Sequence, residues 1–381
     1  MIATIVAMLP SFLTAALVLQ IGIDIGLTLT GLGVLISTFF GMAALVSPAA
    51  GRISERVGWA NGLRCATLLS ALALGTIGWL ANSILMFALG LAVAGVASSL
   101  AQTASNLTIA RCVITSRHGW VFGIKHACVP AAMFLAGLAV PTIALTVGWR
   151  WAFGAAAILA VLAAALVPRH EERSTIAPQL RQPGASVGKP RTPMRLLIVL
   201  AVAVGLGIGA IDPLGSFFVG YSVSIGVEEQ VAGLLLAAGG FCGIITRLVA
   251  GRLIDRMVQA DLTVIASMIT IGAVGIITLN LGGFPGLLIG GLLGFTAGWG
   301  WSGLFTFAVV KDNPEAPAAA WGIAQTGKFM GAAVGPILFG FVADRISFGA
   351  AYWMSTIALL CAAGLMIYVR NHRPTGSSWG A

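Results

Sequence analysis

Apolar runs of about 20 residues, the length a helix needs to cross roughly 30 Å of hydrocarbon, follow one another along almost the whole chain with short polar breaks between them. The pattern predicts twelve spans: Ile2–Ile21, Gly31–Ala50, Leu63–Ala81, Ile84–Ala110, Trp120–Val147, Trp151–Val167, Leu196–Val219, Val231–Ala250, Leu262–Leu281, Leu287–Val310, Trp321–Ala343 and Ala350–Val369. The period-two alternation of a membrane barrel is not visible, so the spanning elements are expected to be helices. Ile2–Ile21 has no basic segment before it and no convincing small-residue cleavage site, and it reads as a retained helix rather than a signal peptide. The one long polar stretch, Pro168–Arg195, is rich in Arg, Pro, Ser and Gln. It reads as a cytoplasmic linker, 168–195, between an N-terminal six-helix half, 1–167, and a C-terminal six-helix half, 196–381.

Composition points the same way. With 58% hydrophobic residues, 9% charged residues and a mean hydropathy of +0.99, the 381 residues cannot coat a water-soluble globule. The net charge of +9 does not imply nucleic acid as a partner, because the basic residues lie between spans. If both termini are cytoplasmic, Arg52, Arg56, Arg64, Arg111, Arg117, the Arg169–Arg195 series, Arg252, Arg256, Lys311, Arg370 and Arg373 all fall inside, and only Arg150 and Arg345 fall outside. That asymmetry is the positive-inside rule. It fixes the orientation of a multi-pass protein expected in the bacterial cytoplasmic (inner) membrane, with the lipid bilayer as its surroundings, and a monomer is expected. Asp24, Glu228 and Glu229 then face outward. Cys65, Cys112, Cys128, Cys242 and Cys361 are scattered without paired spacing, so no metal site follows, and each reads as a small buried hydrophobe.

An internal repeat appears at an offset of about 200 residues. Gly51-Arg52-Ile53-Ser54-Glu55-Arg56 is answered by Gly251-Arg252-Leu253-Ile254-Asp255-Arg256, and Phe122-Gly123-Ile124-Lys125-His126 by Trp321-Gly322-Ile323-Ala324-Gln325. Repeated halves commonly place a substrate at their interface near the bilayer midplane. The G-x-x-x-[DE]-R element after spans two and eight, Gly-Trp-Arg at 148–150 and the 6+6 layout resemble the major facilitator superfamily over the whole chain. The resemblance implies that the loop motif, with Gly51, Glu55, Arg56, Gly251, Asp255 and Arg256, stabilises an outward-open state. The first copy keeps Gly58, whereas Trp59 and Ala60 replace its usual final basic pair. Leu91 stands where proton-coupled drug exporters carry an arginine, and Val129-Pro130 and Val140-Pro141 stand where antiporters carry Gly-Pro.

Charges inside spans need a reason, since one at mid-membrane costs about 2.5–3.5 kcal/mol on insertion scales. Arg247 and Gly251 are four apart on one helix face, which leaves room around a guanidinium whose planar fork suits a carboxylate. Ser47 occupies the place of Arg247 in the first repeat, so the arginine is not scaffold shared by both halves. Lys328 lies deep in the eleventh span, with Gln325 one turn earlier. Arg247 with Lys328, and the R-x-x-x-G pattern ahead of an acidic-Arg pair, resemble the oxalate/formate antiporter and monocarboxylate transporter branch. The resemblance implies an anion held by these two cations, with Trp299 as an aromatic wall; Gly243 stands where monocarboxylate carriers have an acidic partner. Lys125 and His126 open the fifth span about 100° apart, and Lys125 is expected to approach the cavity from the other half. Asp212, with Pro213 behind it, is the deep carboxylate: a proton site or a counter-ion. The absence of HExxH, GxSxG or a phosphate-cradling glycine loop argues against an enzyme, and no cofactor is expected. The sequence therefore reads as a secondary carrier of a small organic anion, working by anion exchange or with protons as a partner. A proton-coupled exporter of hydrophobic compounds and an inorganic-anion carrier of the nitrate or cyanate type are the alternatives.

Overall fold

The computed structural model describes residues 1–112, 118–168, 191–256, 261–313 and 316–372. The expected spans appear as helices, all but the ninth longer than hydropathy alone drew them. They are α1 (Ile2–Ala16 and Val18–Ile25), α2 (Leu29–Val57), α3 (Trp59–Leu80), α4 (Ile84–Cys112) and α5 (His118–Ala139, continuing through Val140–Ala144 and Leu145–Val147). After α6 (Trp149–Leu166), the second half runs α7 (Met194–Ser224), α8 (Glu229–Arg256), α9 (Leu262–Asn280), α10 (Gly283–Asp312), α11 (Pro317–Arg345) and α12 (Phe348–Asn371). The first span is broken: its two pieces meet at 69° around Leu17. Among the described residues eleven helices are long and apolar enough to cross a membrane, or twelve if the bent pair counts as one. The expected linker falls mostly on 169–190, outside the described residues.

Two glycines explain why hydropathy misplaced the boundaries. Gly58 (φ 86°) alone separates α2 from α3, and Gly148 (φ 103°) alone separates α5 from α6. Each needs a backbone that side-chain-bearing residues resist, so a helix can end and the next begin with no loop between them. Gly51–Arg56 is consequently helix rather than loop. Its Glu55 and Arg56 are exposed, without a hydrogen bond or ion pair among the described residues. The side chains of Asp255 and Arg256 lie outside the described residues.

Within each half the helices pack closely, α2 on α4, α3 on α4 and α6, and α7 and α9 on α12. Between halves the contacts run along α5–α8 and α2–α11, with α1 against α7. No aqueous driving force holds helices together in lipid, so small residues that let backbones meet do much of this work. The cysteines depart from expectation: Cys128 is buried, but Cys65 and Cys361 are exposed and Cys242 is half-buried. An apolar lipid face tolerates a thiol as readily as the core does, which is why hydropathy could not tell the two apart. The side chain of Cys112 lies outside the described residues.

The end where the 168–195 segment joins α6 to α7 is called here the linker end, and the opposite one the far end. At the far end Trp149 donates from Nε1 to Asp24 (2.8 Å), and Arg150 stacks on Trp149 and hydrogen-bonds the Gly78 carbonyl, tying bent α1 to α3 and α6. The halves also join there. Gln20 donates to Glu229 (3.0 Å), and Asp344, near the end of α11, accepts from the first amides of α2, Leu29 (3.0 Å) and Thr30 (2.6 Å). A carboxylate on the unsatisfied N–H groups of a helix start is a strong cap. A Cβ on Gly33 or Gly340 would collide with the backbone of the opposing helix, so α2 and α11 are in main-chain contact here. Nearer the linker end, a Cβ at Gly41, Gly51 or Gly322 would meet nothing within 4 Å. The α2–α11 pair is thus closed at the far end and parted around those positions. Replacing Asp344 by Ala removes a cap worth about 1 kcal/mol. Thiol labelling of a cysteine at Thr30, in a background without the native cysteines, should accelerate several-fold; an unchanged rate would mean the cap does not hold the far end shut.

Candidate functional site

Five titratable side chains from four helices meet in the middle of the bundle: Lys125 and His126 on α5, Asp212 on α7, Arg247 on α8 and Lys328 on α11. Lys328 acts electrostatically on Lys125, Asp212 on both Arg247 and Lys328, and all three cations on His126. Lys125 and Arg247 are each only 8% exposed. Asp212, Lys328 and His126 are half-buried, and among the described residues their side chains make no hydrogen bond. No ion pair within 4.0 Å joins Asp212 to either cation. Three cations and one carboxylate share a low-dielectric interior without a fixed pairing, an arrangement that costs stability unless something neutralises it.

Arg247 is held by backbone. Its Nη1 donates to the Gly243 carbonyl one turn back (3.3 Å) and its Nη2 to the Trp299 carbonyl on α10 (3.2 Å). Gly243 makes that possible, because a Cβ there would sit 3.3 Å from Nη1 and 3.0 Å from Pro130 of α5. Gly243 therefore clears space for the arginine. The guanidinium has no carboxylate in ion-pair contact among the described residues.

Trp299 follows a π-helical turn, Gly294–Gly298, in α10. Such turns interrupt the regular i to i−4 ladder and recur at functional sites. The indole is 7% exposed, donates to the Ile211 carbonyl of α7 (3.2 Å) and meets Phe12 of α1 edge to face at 6.1 Å. Its ring centroid is 5.8 Å from the Arg247 guanidinium carbon. It thus touches both halves beside the charged cluster. Its neighbour Trp301 is fully buried in the second half, where it packs beneath Gly207 and Phe305. Gln325 is half-buried on α11 and makes no hydrogen bond among the described residues.

The loop-motif residues sit apart, at the linker end. Gly251 lies against Gly123 of α5, and Arg252 stacks on Trp120 at 4.2 Å. Gly51, its repeat mate, touches nothing comparable. Two residues that spacing arguments passed over take part in the polar architecture. Asn106 on α4 accepts a hydrogen bond from Lys125, and its signal was an amide four residues after Gln102 in an apolar span. Asp344 closes a third G-x-x-x-D-R, Gly340 to Arg345, that reads directly from the sequence. A separate apolar groove of about 610 Å³ between α7, α11 and α12, lined by Ile198, Val202, Met330 and Leu338, opens on the outer face of the bundle. It holds none of the charges.

Comparison with known proteins gives a consistent placement. The chain is 26% identical over 386 residues, 96% of its own length and 91% of the other's, to the "Transcription regulatory protein OpdE" of Pseudomonas aeruginosa. It is 25% identical over 239 residues to the "Uncharacterized transporter YycB" of Bacillus subtilis, covering 61% of this chain and 57% of that one. A solved D-xylose-proton symporter superposes with a TM-score of 0.74 at 16% identity, over 96% of this chain and 95% of that one, and so shares its fold. The family model for the Major Facilitator Superfamily matches residues 1–316 and 200–380, and the chain belongs to that superfamily of membrane transporters.

Proposed function

We propose that this transporter carries a small organic anion, a mono- or dicarboxylate, by alternating access of a site at the interface of its two halves. The observation that carries the reading is the cluster of three cations, Arg247, Lys328 and Lys125, in which Asp212 acts on Arg247 and Lys328 and Lys328 on Lys125, without a fixed ion pair among the described residues. An empty cavity of that composition is positive, and an entering carboxylate neutralises it during transit. A neutral sugar, the cargo in the name of the structural relative, would leave it charged. The fork of Arg247 and the wall of Trp299 fit a planar carboxylate, in keeping with the oxalate/formate and monocarboxylate branch, with Gln325 and His126 at the margin. Asp212 is assigned to proton coupling or to neutralising the empty carrier. On this reading the basic residues lie inside, with both termini cytoplasmic in the bacterial inner membrane, and the closed far end of α2–α11 supports an inward-facing conformation.

A thermal-shift screen of formate, acetate, oxalate, malonate, nitrate and cyanate on the purified chain tests the class, since a ligand that binds the folded state raises its stability by mass action. Stabilisation by a carboxylate, followed by its uptake into proteoliposomes, is the expected result. Stabilisation by nitrate or cyanate alone would replace the organic anion by an inorganic one. The regulatory title of the Pseudomonas relative favours one second reading, a sensor that binds the anion without moving it. Binding with no flux in the same liposomes would select it.

A further inference from the structure

We propose that Asn106 of α4 is a positioning and specificity-determining residue of the anion site: it aims Lys125 and presents its own amide N–H group to the substrate. The inference rests on the carboxylate-carrier reading above and adds a side chain which that reading did not contain. Helices α4 and α5 touch at few points, yet the Lys125 ammonium reaches across from α5 to the Asn106 amide oxygen. The direction of this bond is fixed by chemistry. An ammonium only donates, so the amide must turn its oxygen to Lys125 and its NH2 away. Asn106 is exposed, and among the described residues its NH2 has no partner. The face opposite this bond therefore offers two N–H donors within reach of a charge that no carboxylate in contact offsets. Gln102, one turn deeper on the same face of α4, is half-buried and likewise makes no hydrogen bond among the described residues.

A neutral amide is the right group for this task. It fixes the lysine without cancelling its charge, whereas a carboxylate at the same position would form an ion pair and fill the site with a resident anion. The two alternatives are nearly isosteric, which makes the test sharp. Asn106→Asp and Asn106→Ala are purified as full chains and titrated by thermal shift with whichever of formate, acetate, oxalate or malonate most stabilises the parent. Asn106→Ala should weaken binding by about tenfold, the scale of one charge-assisted hydrogen bond. Asn106→Asp should lose binding further, while the ligand-free protein melts no lower than the parent because Lys125 keeps its partner. A purely structural role predicts the reverse: Asn106→Asp would bind the anion normally. That outcome, or unchanged affinity in Asn106→Ala, overturns the proposal. Should Asn106→Asp not fold, Asn106→Ala and Asn106→Gln decide, with partial recovery expected in the glutamine variant. If no carboxylate stabilises the parent but Lys125→Ala changes binding of another anion, it is the substrate reading that fails; Asn106 is then judged with that anion by the same criterion.

Discussion

Arg247→Ala should reduce carboxylate uptake into proteoliposomes by about 100-fold. The arginine is the one cation of the cluster with two backbone anchors, on the Gly243 and Trp299 carbonyls, so it is aimed before substrate arrives. A hydrogen bond to a charged group contributes about 1.5–3 kcal/mol, and a fork loses two such bonds at once. Arg247→Lys separates charge from geometry. It keeps the cation but not the planar fork, and it should recover no more than about a tenth of parental uptake. Full recovery with lysine would show that charge alone matters there and would remove the argument for a planar substrate. Both variants need a check on folding. Loss of the arginine also removes a buried charge, and the melting temperature should hold or rise.

Asp212→Asn should uncouple the carrier rather than stop it. The carboxylate lies within electrostatic reach of Arg247 and Lys328 but is bonded to neither, and a proton or a substrate anion can change which charge balances the cations. Removing its negative charge leaves the cavity more positive. Counterflow exchange of the anion should persist, with affinity equal to or above the parent's, while the acceleration of net uptake by an inward proton gradient disappears. Uptake that still follows the proton gradient in Asp212→Asn would place the coupling elsewhere, and loss of exchange as well would make Asp212 structural.

The helical layout was legible because lipid imposes one requirement, about 20 apolar residues per crossing, that composition alone reveals. Where helices end was not, since at Gly58 and Gly148 a single residue of positive φ does the work of a loop and hydropathy does not register it. The convergence of Arg247, Lys328, Lys125, His126 and Asp212 could be foreseen from charge inside apolar spans together with the repeat. Spacing puts Gln325 beside Lys328 as a hydrogen-bond partner, and the resemblance gives Glu55 and Arg56 contacts between helices, but among the described residues none of these side chains makes a hydrogen bond or ion pair. Asn106 escaped because a neutral amide in an apolar helix is cheap to insert and carries no flag; its meaning lies in the lysine from another helix. Asp344 escaped for a different reason. Its motif matched, but what it binds is the main chain of α2, and backbone amides look alike in any sequence.

The two seams between the halves have unequal freedom. Along α5–α8 the backbones are interlocked from Gly123 against Gly251 to Gly137 against Gly233, so this seam has no side-chain cushion through which to separate. Along α2–α11 glycine-mediated backbone contact occurs at the far end, at Gly33 and Gly340, whereas Gly41, Gly51 and Gly322 nearer the linker end face open space. If one half moves on the other, the expected motion resembles a door hung on one jamb, with α5–α8 as the hinge and α2–α11 as the leaf that swings. An amphiphile arriving sideways from the bilayer would meet a shut hinge on one flank and the leaf edge on the other. Inhibitors that wedge the carrier in one posture should therefore be sought at α2–α11.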